Sequence, residues 1–421
     1  MSNSGVLLEH LFRRQAGRMV SHLARLLGPA HLSLAEEAVQ DSMVRALSSW
    51  PYNGIPENPQ GWLFRVAHNA AIDAIRRRRM ADSKTGELTA ELTRSALRPL
   101  SDPAVEKSLR DDELSLIFMC CHPEIPADSR VALSLKTACG FSVREIARAF
   151  LADETAIAQR LVRAKKQIRD QQLTIEMPQG ALLGERLNSV LDVIYFMFNE
   201  GYSAYEGEDL VRFDLCKEAL RLGLLIASST LARPKVHALV ALMALQAARM
   251  PARVDEAGDL VLLEDQDPSR WDQQLIALGF HHFDLSIAGD EVSRYHVESA
   301  IAATHARATT VSEGIDWRMI LTFYDQLLEL DCDSPVVQLN RAVAVARVHG
   351  PEAGLDAIEP LSGGSKLREY HLLLAVRAHF LSDVGRLSEA AEAYRGALAC
   401  RCSEPERRFL QRKLAECAAR V

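Results

Sequence analysis

Thr155, Gln159, Arg163 and Lys166 recur at intervals of four and three residues, so on a helix they share one face. A row of polar donors can enter a DNA major groove, with the Gln159 amide and the Arg163 guanidinium of the types that reach base edges. Arg144, Arg160, Lys165 and Arg169 stand around them as cations suited to phosphates. The elements that must position these groups are two short helices and a tight turn. Ser142 and Glu145 form an S-x-x-E capping box ahead of Ile146, Ala147 and Phe150, which predicts a helix from Val143. A break follows at Leu151 to Asp153, where Asp153 is the residue type that caps the next helix. In that helix Ile157, Leu161, Ala164 and Ile168 form the buried stripe. The pattern is that of a helix-turn-helix, although by itself it equally fits an amphipathic helix pair with a solvated basic face.

A second set of residues lies upstream. Asn58 as cap and Pro59 at the first helical position launch a long helix, with Leu63, Val66, Ala67, Ala70, Ala71 and Ala74 on its inner face. Trp62, Arg65, Asn69, Asp73 and Arg76 fall on the outer face, and the run Arg76 to Arg79 follows. A tryptophan, an amide and arginines on one exposed face suit an unpaired base and its phosphates; the plainer alternative is a core tryptophan and a solvated helix end. Before this helix, Trp50 to Pro59 reads as a loop from its Pro, Gly and Asn content. Ser33 with Glu36 reads as a capping box opening a helix over Leu34 to Ser49, with Ala35, Val39, Met43, Ala46 and Leu47 inward and Glu36, Glu37, Gln40 and Asp41 outward. Acidic residues near a helix start also suit its dipole. The first segment, Leu7 to Leu27, reads as one or two amphipathic helices studded with arginines.

The 421 residues are 48% hydrophobic and only 6% aromatic, enough to bury two or three helical cores. The net charge of −7 hides an asymmetry: residues 1–170 hold 24 Lys and Arg against 20 Asp and Glu, while the remainder holds 25 against 36. A mildly basic front suits a polyanion and an acidic back does not. No apolar run approaches the ~18 residues of a membrane span and the N-terminus lacks a signal-peptide profile, so a cytoplasmic protein without membrane partners is expected. The eight cysteines show no C-x-x-C spacing; Cys120, Cys121 and His122 make a poor metal set, and reduced, buried thiols are expected. His281, His282 and Asp284, or Glu264, Asp265 and Asp267, are local groups without the convergent partners that catalysis needs. No catalytic residue, metal or cofactor is expected.

Residues 81–103 carry Gly86, Pro99 and Pro103 without a sustained period and read as a flexible linker; a helix is expected from Asp112, stopped by Pro123 and Pro126, and another from Asp128 or Ser129 to Ala138. Two pieces in this order resemble one family. LSLAEEAVQDSMVRAL with NPQGWLFRVAHNAAIDAIRRRR resembles regions 2.2 to 2.4 of bacterial RNA polymerase sigma factors of the extracytoplasmic-function (ECF) type, and DDELSLIFMCC through RAKKQIR resembles their region 4. The resemblance implies that Glu37, Gln40 and Asp41 dock on the β′ clamp helices of core RNA polymerase. It implies that Trp62, Asn69, Asp73, Arg76 and Arg77, with the Trp50–Asn58 loop, hold the melted −10 element of promoter DNA. It further implies that Thr155, Gln159, Arg160 and Arg163 read the −35 element and that Arg144 and Lys166 help to bind it, with the β flap as the partner of region 4. The expected fold is all-α: region 2 at 1–80, the linker at 81–103, region 4 at 104–172 and a helical extension at 180–421.

A minimal factor of this type would end near Gln172, and here about 250 residues continue. Aligning Ala342 with Ala375, and Glu352 and Ala353 with Glu389 and Ala390, gives an offset of about 33 to 37 residues, near the tetratricopeptide period. The whole layout resembles the sigma subgroup with a tetratricopeptide-like extension, group 42, which implies regulation in cis. The acidic extension either restrains the basic DNA-facing surfaces or braces them, and it offers a groove for an unnamed ligand or peptide. The alternative from another class is a protein-binding scaffold that retains a sigma-like DNA-binding module.

Overall fold

The structure, a computed structural model, describes residues 3–78, 103–150, 152–202, 213–307, 314–330, 334–362 and 370–420. Among these the regular elements are helices, apart from one isolated bridge between Val254 and Leu260. They gather into two compact units, Met1–Phe196 and Met197–Val421. The linker expected at 81–103 lies outside the described residues, except that its last residue, Pro103, opens a helix.

The first unit begins with α1 (Asn3–Leu27), α2 (Leu32–Asn53) and α3 (Pro59–Arg78). Asn58 caps α3 through its side chain, Oδ1 accepting from the Gly61 N–H at 2.8 Å. The buried face of α3 is wider than its spacing predicts: Phe64, His68, Ile72 and Ile75 join Leu63, Ala67, Ala70 and Ala71, because α1 and α2 both pack on it.

Three expectations about α2 need correction. The helix starts at Leu32 without a side-chain cap, so Ser33 and Glu36 are not a capping box. It continues through Pro51 to Asn53 and stops at Gly54, whose φ of 79° breaks the helix while its N–H still reaches the Trp50 carbonyl. Leu47, expected inside, is 53% exposed.

The unit continues with α4 (Pro103–Cys120), α5 (Ala127–Thr137), α6 (Val143–Ala149) and α7 (Glu154–Asp170). α4 starts nine residues before the expected Asp112, with Pro103 at its first position, where a missing N–H costs nothing. Cys120 and Cys121 are buried beside Thr137 and Ser134 at 3.1 and 3.6 Å, and burial pushes both thiols up, that of Cys121 to about 11. α1 also packs against α4 and α5. A Cβ on Gly17 would lie 1.7 Å from the Ala138 carbonyl oxygen, so α1 meets the end of α5 backbone to backbone only because residue 17 is glycine.

The helix α8 (Ala181–Tyr202) contains the boundary between the units. In the second unit follow α9 (Phe213–Ala227), α10 (Pro234–Ala248), α11 (Gln273–Ser286), α12 (Arg294–Arg307) and α13 (Trp317–Leu330). Pro234 opens α10 at its first position, where a missing N–H costs nothing. α10 is buried on nearly every side, the mark of a helix at the centre of a core.

Two helix hairpins come next, α14 (Pro335–His349) with α15 (Pro351–Ser362), and α16 (His371–Asp383) with α17 (Leu387–Ala399), before α18 (Glu404–Arg420). The second pair repeats the first at one constant offset in the chain, and each neighbour buries the other's apolar face: Leu339, Ala342 and Ile358 share a core with Leu373 and Phe380. No helix among the described residues is long and apolar enough to cross a membrane.

Candidate nucleic-acid and polymerase interface

The helix-turn-helix is built by local bonds. The Ser142 N–H donates to Glu145 Oε2 at 2.8 Å and the Glu145 N–H to Ser142 Oγ at 3.1 Å, a reciprocal capping box. Asp153 stands at the N-cap of α7 but supplies only its carbonyl, which accepts from the Ile157 N–H at 3.1 Å. Ile157, Leu161, Ala164 and Ile168 are buried against α5 and α6, the stripe that their spacing predicts. Thr155, Gln159, Arg163 and Lys166 are exposed on the opposite face, and Arg144 is exposed at the start of α6.

Arg160 is half-buried and pairs with Asp128 at 3.6 Å. Val162 is 64% exposed beside Gln159, Arg163 and Lys166. Its signal in the sequence is an apolar residue outside the regular stripe of Ile157, Leu161, Ala164 and Ile168. Such a group complements the thymine methyl in a major groove.

Lys165 does not join that face. Its Nζ donates to Glu36 Oε2 on α2 at 2.5 Å, and both side chains are largely buried. Glu36, expected on the outer side of α2, thus faces α7, while its Oε1 is buried without a hydrogen-bond partner. Burial lowers the Lys136 ammonium below its ordinary value, with Glu36 opposing and Lys165 adding to the shift, so three charges share this seam. On α4, Asp112 is 1% exposed and accepts from His22 Nδ1 at 2.8 Å and from Arg25; Glu113 beside it lies 3.6 Å from Arg18 Nε.

The remaining acidic face of α2 is open. Glu37, Gln40 and Asp41 are exposed, and Val44 and Leu47 continue the same stripe as exposed apolar groups. Apolar side chains rimmed by polar ones are of the kind that suits a protein contact. On α3, Asn69, Asp73 and Arg76 are exposed; the side chain of Arg77 lies outside the described residues. Trp62 is half-buried, its ring set edge-on to buried Trp50 with centroids 5.6 Å apart. The open aromatic group here is Tyr52, 88% exposed at the end of α2, with Ile55 nearby. Of the local acidic and histidine groups of the second unit, His282 lies 2.9 Å from His237 between Nδ1 atoms, Glu264 holds Arg347, and Asp267 caps a turn through the Ser269 N–H.

Comparison with known proteins gives these surfaces a context. Residues 11–80 match the sigma-70 region 2 family, residues 115–168 the sigma-70 region 4 family, and residues 186–287 a family of unknown function (DUF6596). An uncharacterized protein of Rhizobium meliloti (strain 1021) is 40% identical over 92% of this chain and 91% of its own length. The ECF RNA polymerase sigma factor SigE of Mycolicibacterium smegmatis is 28% identical over 38% of this chain and 60% of its own. The RNA polymerase sigma factor CarQ of Myxococcus xanthus is 31% identical over 33% of this chain and 73% of its own. No solved structure matches. With both modules present in order and sigma factors among its relatives, the chain belongs to the sigma-70 family of RNA polymerase sigma factors, a family without enzymatic activity.

Proposed function

We propose that the protein directs core RNA polymerase to specific promoters and supports transcription initiation in the cytoplasm, under control in cis of its C-terminal helices. The observation that carries this reading is the division of α7 into a buried apolar stripe and an exposed row of Thr155, Gln159, Arg163 and Lys166. That row enters the major groove of the −35 element, Arg163 and Gln159 reading base edges and Val162 meeting a thymine methyl, while Arg144, Arg160 and Lys166 hold phosphates. The exposed stripe of Glu37, Gln40 and Asp41, with Val44 and Leu47, docks on the β′ clamp helices, and region 4 also meets the β flap.

On α3, Asn69, Asp73 and Arg76, with Arg77, hold the melted −10 element. An unpaired base needs an accessible ring, and Tyr52 offers one more openly than Trp62. The repeated hairpins α14–α15 and α16–α17 support a tetratricopeptide-like extension of the group 42 kind. The test is run-off transcription with core RNA polymerase on the upstream region of the protein's own gene. A transcript from a defined start is expected. Polymerase binding without one would turn the reading to a scaffold that retains a sigma-like module.

A further inference from the structure

Within the second unit, α14, α16, α17 and α18 line a half-open cavity of about 430 Å³ together with residues 260–264 and 315–317. That volume is in the range of sites for small organic molecules. Its walls are apolar and partly aromatic, with Leu263, Trp317, Val376, Phe380 and Phe409 among them.

One side is a strap, residues 254–265, folded on itself by the Val254–Leu260 bridge and by Asp255 Oδ1, which accepts from the Ala257 and Asp259 N–H groups at 2.9 Å. The strap is pinned at its tip and at its C-terminal end. Arg408 donates to Asp259 at 2.5 Å and to the Gly258 carbonyl at 3.0 Å, and Arg347 holds Glu264. The strap belongs to the matched family of unknown function, whereas the opposite walls lie beyond that match.

The polar groups of the lining are unequal. Both carboxylates are already supplied with donors. Glu406 is buried and accepts from the Ser403 N–H at 2.9 Å and Ser403 Oγ at 2.7 Å, with His371 Nε2 at 3.3 Å; Glu264 takes Arg347. The cations have donors to spare. Lys413 carries three N–H groups and gives one to Glu416 at 2.9 Å, and Arg347 carries five around a guanidinium that also sits 5.5 Å from the Trp317 ring centroid. An apolar chamber with satisfied acids and surplus donors suits a ligand with an apolar body and an acceptor head.

We propose that this cavity binds a small amphipathic organic anion, its aromatic or aliphatic body between Trp317, Phe380 and Phe409 and its acidic head at Lys413 and Arg347. The inference concerns the second unit alone and is read without polymerase or promoter, so it stands or falls separately from sigma function. The test is a fluorescence titration of the full-length chain with 1-anilinonaphthalene-8-sulfonate and with its uncharged counterpart N-phenyl-1-naphthylamine. Circular dichroism and cooperative melting verify the fold of each variant.

The wild type is expected to bind one equivalent of the anionic dye about tenfold more tightly than the neutral one, the size of effect of a charge-assisted hydrogen bond. Lys413→Met, a change at a half-exposed site, is expected to erase that preference. Val376→Trp, which puts an indole into the cavity between Phe380 and Phe409, is expected to weaken binding of both dyes at least tenfold. Equal affinity for the two dyes, a preference untouched by Lys413→Met, unchanged binding to folded Val376→Trp, or no saturable binding would each overturn the proposal. Should Val376→Trp fail to fold, the Lys413→Met comparison decides alone.

Discussion

Lys165 of α7 and Glu36 of α2 meet at 2.5 Å across 129 residues of sequence, so the second helix of the helix-turn-helix is tied to the helix whose outer stripe carries Glu37, Gln40 and Asp41. Asp112 with His22 and Arg25, and Glu113 near Arg18, tie α4 to α1 in the same unit. On the proposed function, region 2 and α7 engage promoter elements about two helical turns apart, and that reading requires the contact between α2 and α7 to open. Lys165→Met leaves Glu36 buried without its partner and is expected to weaken the packing by about 3 kcal/mol. X-ray scattering checks this: the variant should be more extended than the wild type at the same salt, and the double variant with Glu36→Gln should return towards the wild-type dimensions. Identical scattering from Lys165→Met and wild type would mean the pair does not hold the unit closed.

Arg163 and Lys166 share the exposed face of α7 and are expected to act differently. Arg163→Ala should cost about 1–3 kcal/mol on the proper −35 duplex and relax discrimination at one base pair. Lys166→Ala should weaken all duplexes alike and lower the salt dependence by about one counterion. Titrations of both variants against the proper and a scrambled duplex at two salt concentrations separate the two behaviours, and equal losses on both duplexes for Arg163→Ala would remove it from base reading.

Much of α6 and α7 was legible because its determinants are local. The Ser142–Glu145 box and the Ile157, Leu161, Ala164 and Ile168 stripe depend only on residues within a few turns of one another. The same reasoning failed at Glu36, where S-x-x-E spacing imitates a capping box but the partner is Lys165, far along the chain. It failed at Leu47 for a related reason: helical periodicity selects a face, but only packing determines how wide the covered part is. The cavity of the second unit was illegible altogether, since its walls come from segments between Leu260 and Lys413 that share no motif.

Truncation after Gln172 was the natural cut from sequence, but α8 changes what that cut removes. Arg186 Nη2 donates to the Phe118 carbonyl at 2.6 Å and Phe196 stacks on Phe150 with centroids 6.0 Å apart, so the first part of α8 completes the unit that contains the helix-turn-helix. A chain ending at Gln172 is expected to melt lower than one ending at Tyr202, because it loses the Arg186 bond to the Phe118 carbonyl and the Phe196 ring stacked on Phe150. Thermal melts of the two check the claim, and equal midpoints would refute it. Run-off transcription with the longer version then reports on the extension itself: more transcript than from the full chain means restraint, and less means a brace.

His68 offers a pH test of region 2. It is buried on α3, its Nδ1 lies 2.9 Å from the Phe64 carbonyl, and its Nε2 has no hydrogen-bond partner. Burial lowers its pKa from 6.5 to about 4, with the Phe64 carbonyl opposing the shift and His22 adding to it. Between these values the unfolded chain binds more protons than the folded one, so stability rises with pH across the window. The contribution of neutral His68 is complete above about pH 6.5 and is lost as pH falls towards 4, about 2 kcal/mol of it by pH 5. His282 and His305 are lowered as well, to about 4 and about 3, and their losses accompany that of His68. They are common to wild type and variant and therefore cancel in the comparison. Urea midpoints at pH 7 and pH 5 for wild type and His68→Met therefore isolate the residue: the variant should lose less stability on acidification, and an identical loss in both would show that His68 is already protonated in the folded chain.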